Sequence, residues 1–196
     1  MDAHDEERPQ PKHDRREELT LAAFHVIARK GFEGLRVREV AAQVGINGAT
    51  LHHYFPTKED LIRSVVAHAI SRLRTVMAGR LPDAAPPEQL RDHLSRLFQL
   101  MQEEPDLFVV LTEVNLRARR TPVLAYLTEQ NSVWHGMLVS ILERGISEKF
   151  WPSDLDPGAT AAAIITLLEG MTFWAATAPD WGAKALSRLE RWLGIA

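Results

Sequence analysis

Cysteine is absent from the 196 residues. Disulfides, Cys-ligated zinc, iron–sulfur clusters and thiol catalysis are thereby excluded, and the chain suits a reducing cytoplasm, the expected location. Long apolar runs are missing too. The longest, Ala159 to Leu168, holds ten residues, two of them threonine, well short of the roughly 20 that a membrane-spanning helix needs. The opening MDAHDEERPQPKHDRR contains no apolar stretch, so no secretory signal is expected. Net basicity is lacking: 23 Lys and Arg stand against 26 Asp and Glu, a formal charge of −3. Catalytic signatures are missing as well. There is no glycine-rich phosphate loop, no Gly-x-Ser-x-Gly and no His-Glu-x-x-His, so neither a catalytic residue nor a cofactor is expected. Glu103 and Glu104 precede a proline and read as a solvated helix end. Finally, no segment alternates apolar and polar residues for long, and no Asn-Gly turn joins two such runs. The chain reads as all-α.

What is present is helical periodicity in a chain that is 45% hydrophobic and 25% charged, enough to bury a core. Residues 1–13 are polar, carry Pro9 and Pro11, and are expected to form a disordered tail. Asp14 with Glu17 suggests a capped helix start. Leu19, Ala22, Ala23, Val26 and Ile27 share one face, and Gly31 follows Arg29 and Lys30 as a stop. Two short helices are expected next, about Val37–Val44 and Gly48–Tyr54, the second capped by Asn47. Thr57 with Asp60 opens a long helix whose apolar set is Leu61, Ile62, Val65, Val66, Ala69, Ile70, Leu73, Val76 and Met77. A proline- and alanine-rich joint (LPDAAPPEQ) comes after it. Further helices are expected near 88–103, 106–119, 122–148, 156–177 and 182–194. The breaks fall at Pro105, Pro122, Trp151-Pro152 and Pro179, and Asp156-Pro157 is a start signal.

The stretch VREVAAQVGINGATLHHYF, residues 37–55, is the most informative. Ala41 is small where two helices approach, and Gly45 supplies a turn position with positive φ. Val40, Val44, Ile46 and Leu51 would glue the pair. This is the pattern of a helix-turn-helix, whose second helix enters a DNA major groove. On that helix Gly48 and Ala49 permit close approach. Thr50, His52, His53 and Tyr54 offer hydrogen-bonding or stacking groups, while Leu51 and Phe55 point to the core. Arg38 and Lys58 suit phosphate contact. Residues 8–58 carry nine Lys or Arg against five acids, a local basic footprint on an otherwise acidic protein. His52 and His53 are adjacent and so point about 100° apart, an awkward arrangement for one metal ion, and no metal site is expected. His25, His68, His93 and His135 lie on separate helices.

The block GFEGLRVREVAAQVGINGATLHHYFPTKEDLI resembles the N-terminal domain of TetR-family transcriptional regulators, in detail over about residues 15–65. The resemblance rests on Gly31-Phe32, Val37-Arg38-Glu39-Val40-Ala41, Val44-Gly45-Ile46, Thr50-Leu51, His53-Tyr54-Phe55 and Lys58-Glu59-Asp60-Leu61. This chain departs from the family pattern at Arg36 and Asn47, both often Ser or Thr. It departs again at His52, usually tyrosine, where an imidazole replaces a phosphate-reaching phenol. The resemblance implies a helix-turn-helix domain over 14–60 and a C-terminal effector-binding and dimerisation domain over 61–196. It further implies a homodimeric repressor that leaves a palindromic operator when a small apolar effector binds. The DNA-contacting set would be Arg38, Asn47, Gly48, Ala49, Thr50, His52, His53, Tyr54 and Lys58. The rival reading is a helical small-molecule-binding or enzymatic protein whose N-terminal unit only packs.

In the second half, Phe98, Met101, Phe108, Leu111, Trp134, Leu138 and Trp174 serve either as core or as the wall of an effector pocket. Thr112, Asn115, Asn131, His135 and Thr166 could supply its polar contacts. Glu169 is the one ionisable residue between Pro157 and Pro179. It would face a pocket or an arginine at an interface. DPGATAAAIITLLEGMTFWAATA is apolar nearly all round, and the last helix carries Ala185, Leu186, Leu189, Trp192 and Leu193 on one stripe. A two-fold dimer is therefore expected, with Gly158, Ala162, Gly170, Leu186, Leu189 and Trp192 at a four-helix interface.

Overall fold

A computed structural model describes residues 12–77, 81, 83–118, 125–174 and 178–195. The expected disordered tail lies almost wholly outside them, as do Pro122 and the side chain of Trp174. Among the described residues there are nine helices and no strand. They are α1 (Lys12–Gly34), α2 (Val37–Gln43), α3 (Gly48–Tyr54), α4 (Lys58–Met77), α5 (Pro86–Glu103), α6 (Pro105–Ala118), α7 (Ala125–Ser147), α8 (Pro157–Trp174) and α9 (Pro179–Leu193). The chain divides into two compact units, Met1–His68 and Ala69–Ala196.

In the N-terminal unit the buried face of α1 is Leu19, Ala23, Val26 and Ile27, each fully enclosed. Ala22 is only half-buried. Asp14 does not cap α1: the helix starts earlier, and Asp14 sits in its first turn, where the free N–H groups favour an acid. Gly31 breaks the helix with φ 64° and ψ 178°. One further helical turn follows, so that Phe32 and Leu35 drop into the core beside Val40, Leu51, Phe55, Leu61 and Val65. Thr57 and Asp60 cap α4 reciprocally. The Asp60 N–H donates to Thr57 Oγ1 at 3.1 Å, and the Thr57 N–H donates to Asp60 Oδ2 at 3.2 Å. That is the capping-box logic with aspartate in the acidic place.

The C-terminal unit buries Leu90, Leu94, Leu97 and Leu100 of α5 with Leu107, Val110 and Val114 of α6. Leu138 and Leu142 of α7 and Ala161, Ile164 and Leu168 of α8 complete this core. Pro105 and Pro179 stand at the first positions of α6 and α9, where a missing N–H costs nothing, so each opens a helix. Asp156 Oδ1 accepts from the Ala159 N–H at 3.0 Å to start α8. The end of α7 is closed by Lys149 at φ 65°, with the Phe150 N–H reaching the Gly145 carbonyl at 2.8 Å. Trp151 lies against the bare backbone of Gly145: a Cβ there would sit 2.0 Å from the indole Cζ3. The indole N–H donates to the Leu193 carbonyl at 2.7 Å, and Arg91 Nε donates to the carbonyl of Ile195, itself fully buried. Leu193 and Ile195 are thus tied to the turn after α7 and to α5.

Candidate nucleic-acid interface

Helices α2 and α3 meet through the turn Val44–Asn47. Gly45 adopts φ 71° with open space around it, so it is the backbone conformation, and not crowding, that calls for glycine here. The Ile46 N–H returns to the Ala41 carbonyl at 2.9 Å, tightening the corner. Asn47 then caps α3. Its Oδ1 accepts from the Thr50 N–H at 2.8 Å and from the Thr50 hydroxyl at 3.0 Å. Leu51 and Phe55 anchor the inner face at 1% and 0% exposure.

That anchoring turns the other face outward. Ala49, His52 and His53 are exposed, and Gly48, Thr50 and Tyr54 are half-exposed. Gly48, Ala49 and His52 line an open concavity of about 1000 Å³ together with Arg36, Val37, Arg38 and Glu39 from the start of α2. Among the described residues Arg38 and Lys58 form no ion pair, so both cations remain available to an anion. His52 Nδ1 lies 3.3 Å from the Pro56 carbonyl. A carbonyl only accepts, so this contact is a hydrogen bond in the ring form that carries a proton on Nδ1. A second, smaller hollow of about 460 Å³ is lined by Arg16, Tyr54, Pro56, Asp60, Arg63 and Ser64.

Reasoning from sequence passed over Arg36, which it treated only as a missing cap. The guanidinium donates to the Glu33 carbonyl at 2.5 Å and lines the larger concavity beside Arg38. Arg16 and Arg63 were also passed over, since nothing in their spacing separates them from ordinary helix-surface cations.

The expected effector set is spread over different environments in the C-terminal unit. Phe98, Met101, Leu111, Thr112, Asn115, Trp134 and His135 are half-buried, and Phe108 is buried. Leu138 is fully enclosed core. Asn131 and Thr166 are exposed, and the Thr166 hydroxyl donates back to the Ala162 carbonyl at 2.9 Å. Trp134 Nε1 donates to His93 Nε2 at 2.9 Å, and His135 Nε2 lies 3.1 Å from the Gly158 carbonyl.

Of the expected dimer residues, Leu186 and Leu189 are buried within one subunit at 8% and 5% exposure, on the side where α9 packs against α5 and α8. The physical reason is the width of the apolar arc of α9. Its leucines face inward, while Trp181 and Trp192 lie on the adjacent exposed side at 55% and 66%. On α8, Ala162 and Phe173 are exposed and Gly158 and Gly170 half-exposed. Glu169 is exposed on the same helix, yet desolvation raises its carboxyl above the ordinary glutamate range.

A capped reading helix, turned outward by two buried anchors and flanked by the cations Arg38 and Lys58, defines a helix-turn-helix DNA-binding protein. Residues 19–65 match the family of bacterial regulatory proteins of the tetR type, and residues 86–193 match the C-terminal domain of BetI-type transcriptional repressors. The chain belongs to the TetR family and is a DNA-binding transcriptional regulator of the repressor class. Among its relatives is the HTH-type transcriptional repressor KstR2 of Mycobacterium tuberculosis, 27% identical over 72% of each chain. Another is the fatty acid metabolism regulator protein of Bacillus subtilis, 27% identical over 85% of this chain and 86% of the relative. A transcriptional regulator from Rhodococcus sp. Rha1 shares the fold with a TM-score of 0.76 at 23% identity, over 92% of this chain and 94% of the other. Regulators of this family bind DNA, answer to small-molecule effectors and act as dimers. Among the described residues no helix is long and apolar enough to cross a membrane.

Proposed function

We propose that this chain represses transcription in the cytoplasm by holding a palindromic operator as a two-fold dimer, and that a small, largely apolar effector releases it. The N-terminal unit would read DNA, and the C-terminal unit would hold the effector and pair the subunits. The observation that carries the reading is the outward face of α3. Ala49, His52 and His53 project from a helix that Leu51 and Phe55 lock down, and Arg36 and Arg38 stand beside it. A unit that only packed would have no use for this arrangement. Thr50 and His53 would meet base edges or phosphates, while Arg38 and Lys58 would fix the register on the backbone.

The effector's seat draws on the half-buried residues Phe98, Met101, Leu111, Thr112, Asn115 and Trp134. Apolar walls with a few polar groups suit a small apolar molecule. The effector would act as a difference in its affinity for two dimer geometries, one of which spaces the two α3 helices for adjacent major grooves.

The experiment is selection of bound duplexes from a random pool, followed by titration of the selected duplex with the wild-type protein and with T50A/H53A. A palindromic consensus and an affinity that falls steeply with salt are expected for the wild type. The double variant should lose the specific complex while keeping its helical content and thermal midpoint. Recovery of no preferred sequence, or undiminished binding by the variant, would refute the reading.

A further inference from the structure

Two consecutive arginines on α1 each hold one helix of the helix-turn-helix by its C-terminal end. Arg15 Nη1 donates to the Val44 carbonyl, at the C-cap of α2, at 3.2 Å, and is itself steadied by Glu18 at 2.9 Å. Arg16 Nη1 donates to the carbonyl of Tyr54, the last residue of α3, at 2.5 Å. The Arg16 guanidinium also lies over the ring of Phe55, 4.2 Å from its centroid, and Phe55 is fully buried.

Adjacent helix positions diverge by about 100°, and that divergence lets neighbouring side chains reach two different helix ends. The free carbonyls at a helix C-terminus carry partial negative charge and favour a cation. The planar guanidinium suits Arg16 to its double task, since it donates in its plane and stacks on its face. The base that carries this clamp is fixed in turn: Thr20 Oγ1 donates to the Arg16 carbonyl at 2.9 Å and lies 3.0 Å from Ser64 Oγ of α4.

We propose that Arg15 and Arg16 are positioning residues for base reading. They set the angle at which α2 and α3 stand on α1, and so which atoms of α3 reach the base edges, instead of serving as phosphate ligands of the basic footprint. The inference rests on the reading of α3 as the DNA-reading helix.

The two roles separate in the salt dependence. A phosphate ligand contributes a slope of about 0.9 in log K against log salt and acts equally on every sequence. A positioning residue changes the preference for the correct sequence and leaves the slope alone. The probes are the duplex that the wild-type protein selects from a random pool and a scrambled duplex of equal length. R16M is expected to lower the ratio of selected to scrambled affinity by about tenfold, the worth of one base-pair mismatch, with an unchanged slope and unchanged scrambled binding. R15M should act in the same direction. R16K keeps the charge but loses the planar stack, so it should restore neither the ratio nor the protection of the Phe55 amide against hydrogen exchange. It also supplies the test if R16M does not fold. A slope reduced by about 0.9 with both duplexes weakened alike, full rescue by R16K, or no change in the ratio would each overturn the proposal. Failure of the wild-type protein to select any duplex would instead strike the reading of α3.

Discussion

Lys149 is the described residue other than glycine that holds a positive φ, 65°. It closes α7 in the place where helices commonly put glycine, since a Cβ in the left-handed region costs roughly 1–2 kcal/mol. Lys149→Gly should therefore stabilise the C-terminal unit by about 1 kcal/mol after the entropy of the freer unfolded chain is subtracted, read as a higher urea midpoint at constant slope. Gly45, with φ 71°, shows the same physics already satisfied, and at that position the sequence was legible. The turn after α7 was not. Trp151-Pro152 announced a break, but nothing in the string Glu148-Lys149-Phe150 marks a lysine forced into a glycine conformation. That requirement comes from Trp151, which must fold back onto Gly145.

At the scale of elements, the start of α4 carries a titratable feature. The hydrogen bond from the Thr57 hydroxyl holds the Asp60 carboxyl below the ordinary aspartate range; the Thr57 N–H, Arg63 and Arg16 add to this against a desolvation effect of opposite sign. Because the folded state binds the proton more weakly than the unfolded chain, the cap's contribution is complete above the unfolded aspartate value of about 3.9. It is lost as pH falls through the lower folded value. Thr57→Val and Asp60→Asn should each lower stability at pH 7 and flatten the acid limb of a denaturant-midpoint profile below about pH 4. Element boundaries of this kind were readable because caps are local. Asn47, Thr57 with Asp60, and Asp156-Pro157 each accept or donate within four residues. Asp14 with Glu17 had the same local form but did not become a cap, because α1 continues past it to Lys12. The clamps of Arg15 and Arg16 span 29 and 38 residues, and no local pattern announces such contacts.

For the molecule as a whole, the exposed sides of α8 and α9 set the expectation for assembly. Phe173, Trp181 and Trp192 are each more than half exposed. If a second copy packs against α8 and α9, these side chains, with Ala162 and Gly170, are the ones it is expected to cover. Phe173→Ser with Trp192→Ser should convert a dimer to a monomer at micromolar concentration in sedimentation velocity, and with it weaken operator binding. Leu189→Ala should act differently. Its side chain is 5% exposed within one subunit, so truncation should cost about 2–5 kcal/mol of folding stability. Amphipathic periodicity showed that α9 has an apolar arc but could not apportion it. Leu186, Leu189 and Trp192 share one stripe in sequence, and only the packing of α9 on α5 and α8 assigns the leucines inward and leaves the tryptophan out.

The grip of Trp151 and Arg91 on the carbonyls of Leu193 and Ile195 makes the segment after α9 part of what holds the C-terminal unit together. Ile195 is itself sealed from solvent, so its side chain is part of the core and not a dangling appendage. A protein trimmed back to Gly194 would lose the acceptor for the Arg91 guanidinium and open a void where Ile195 sat. Clipping there should therefore loosen α5 and the turn that carries Trp151, instead of passing unnoticed.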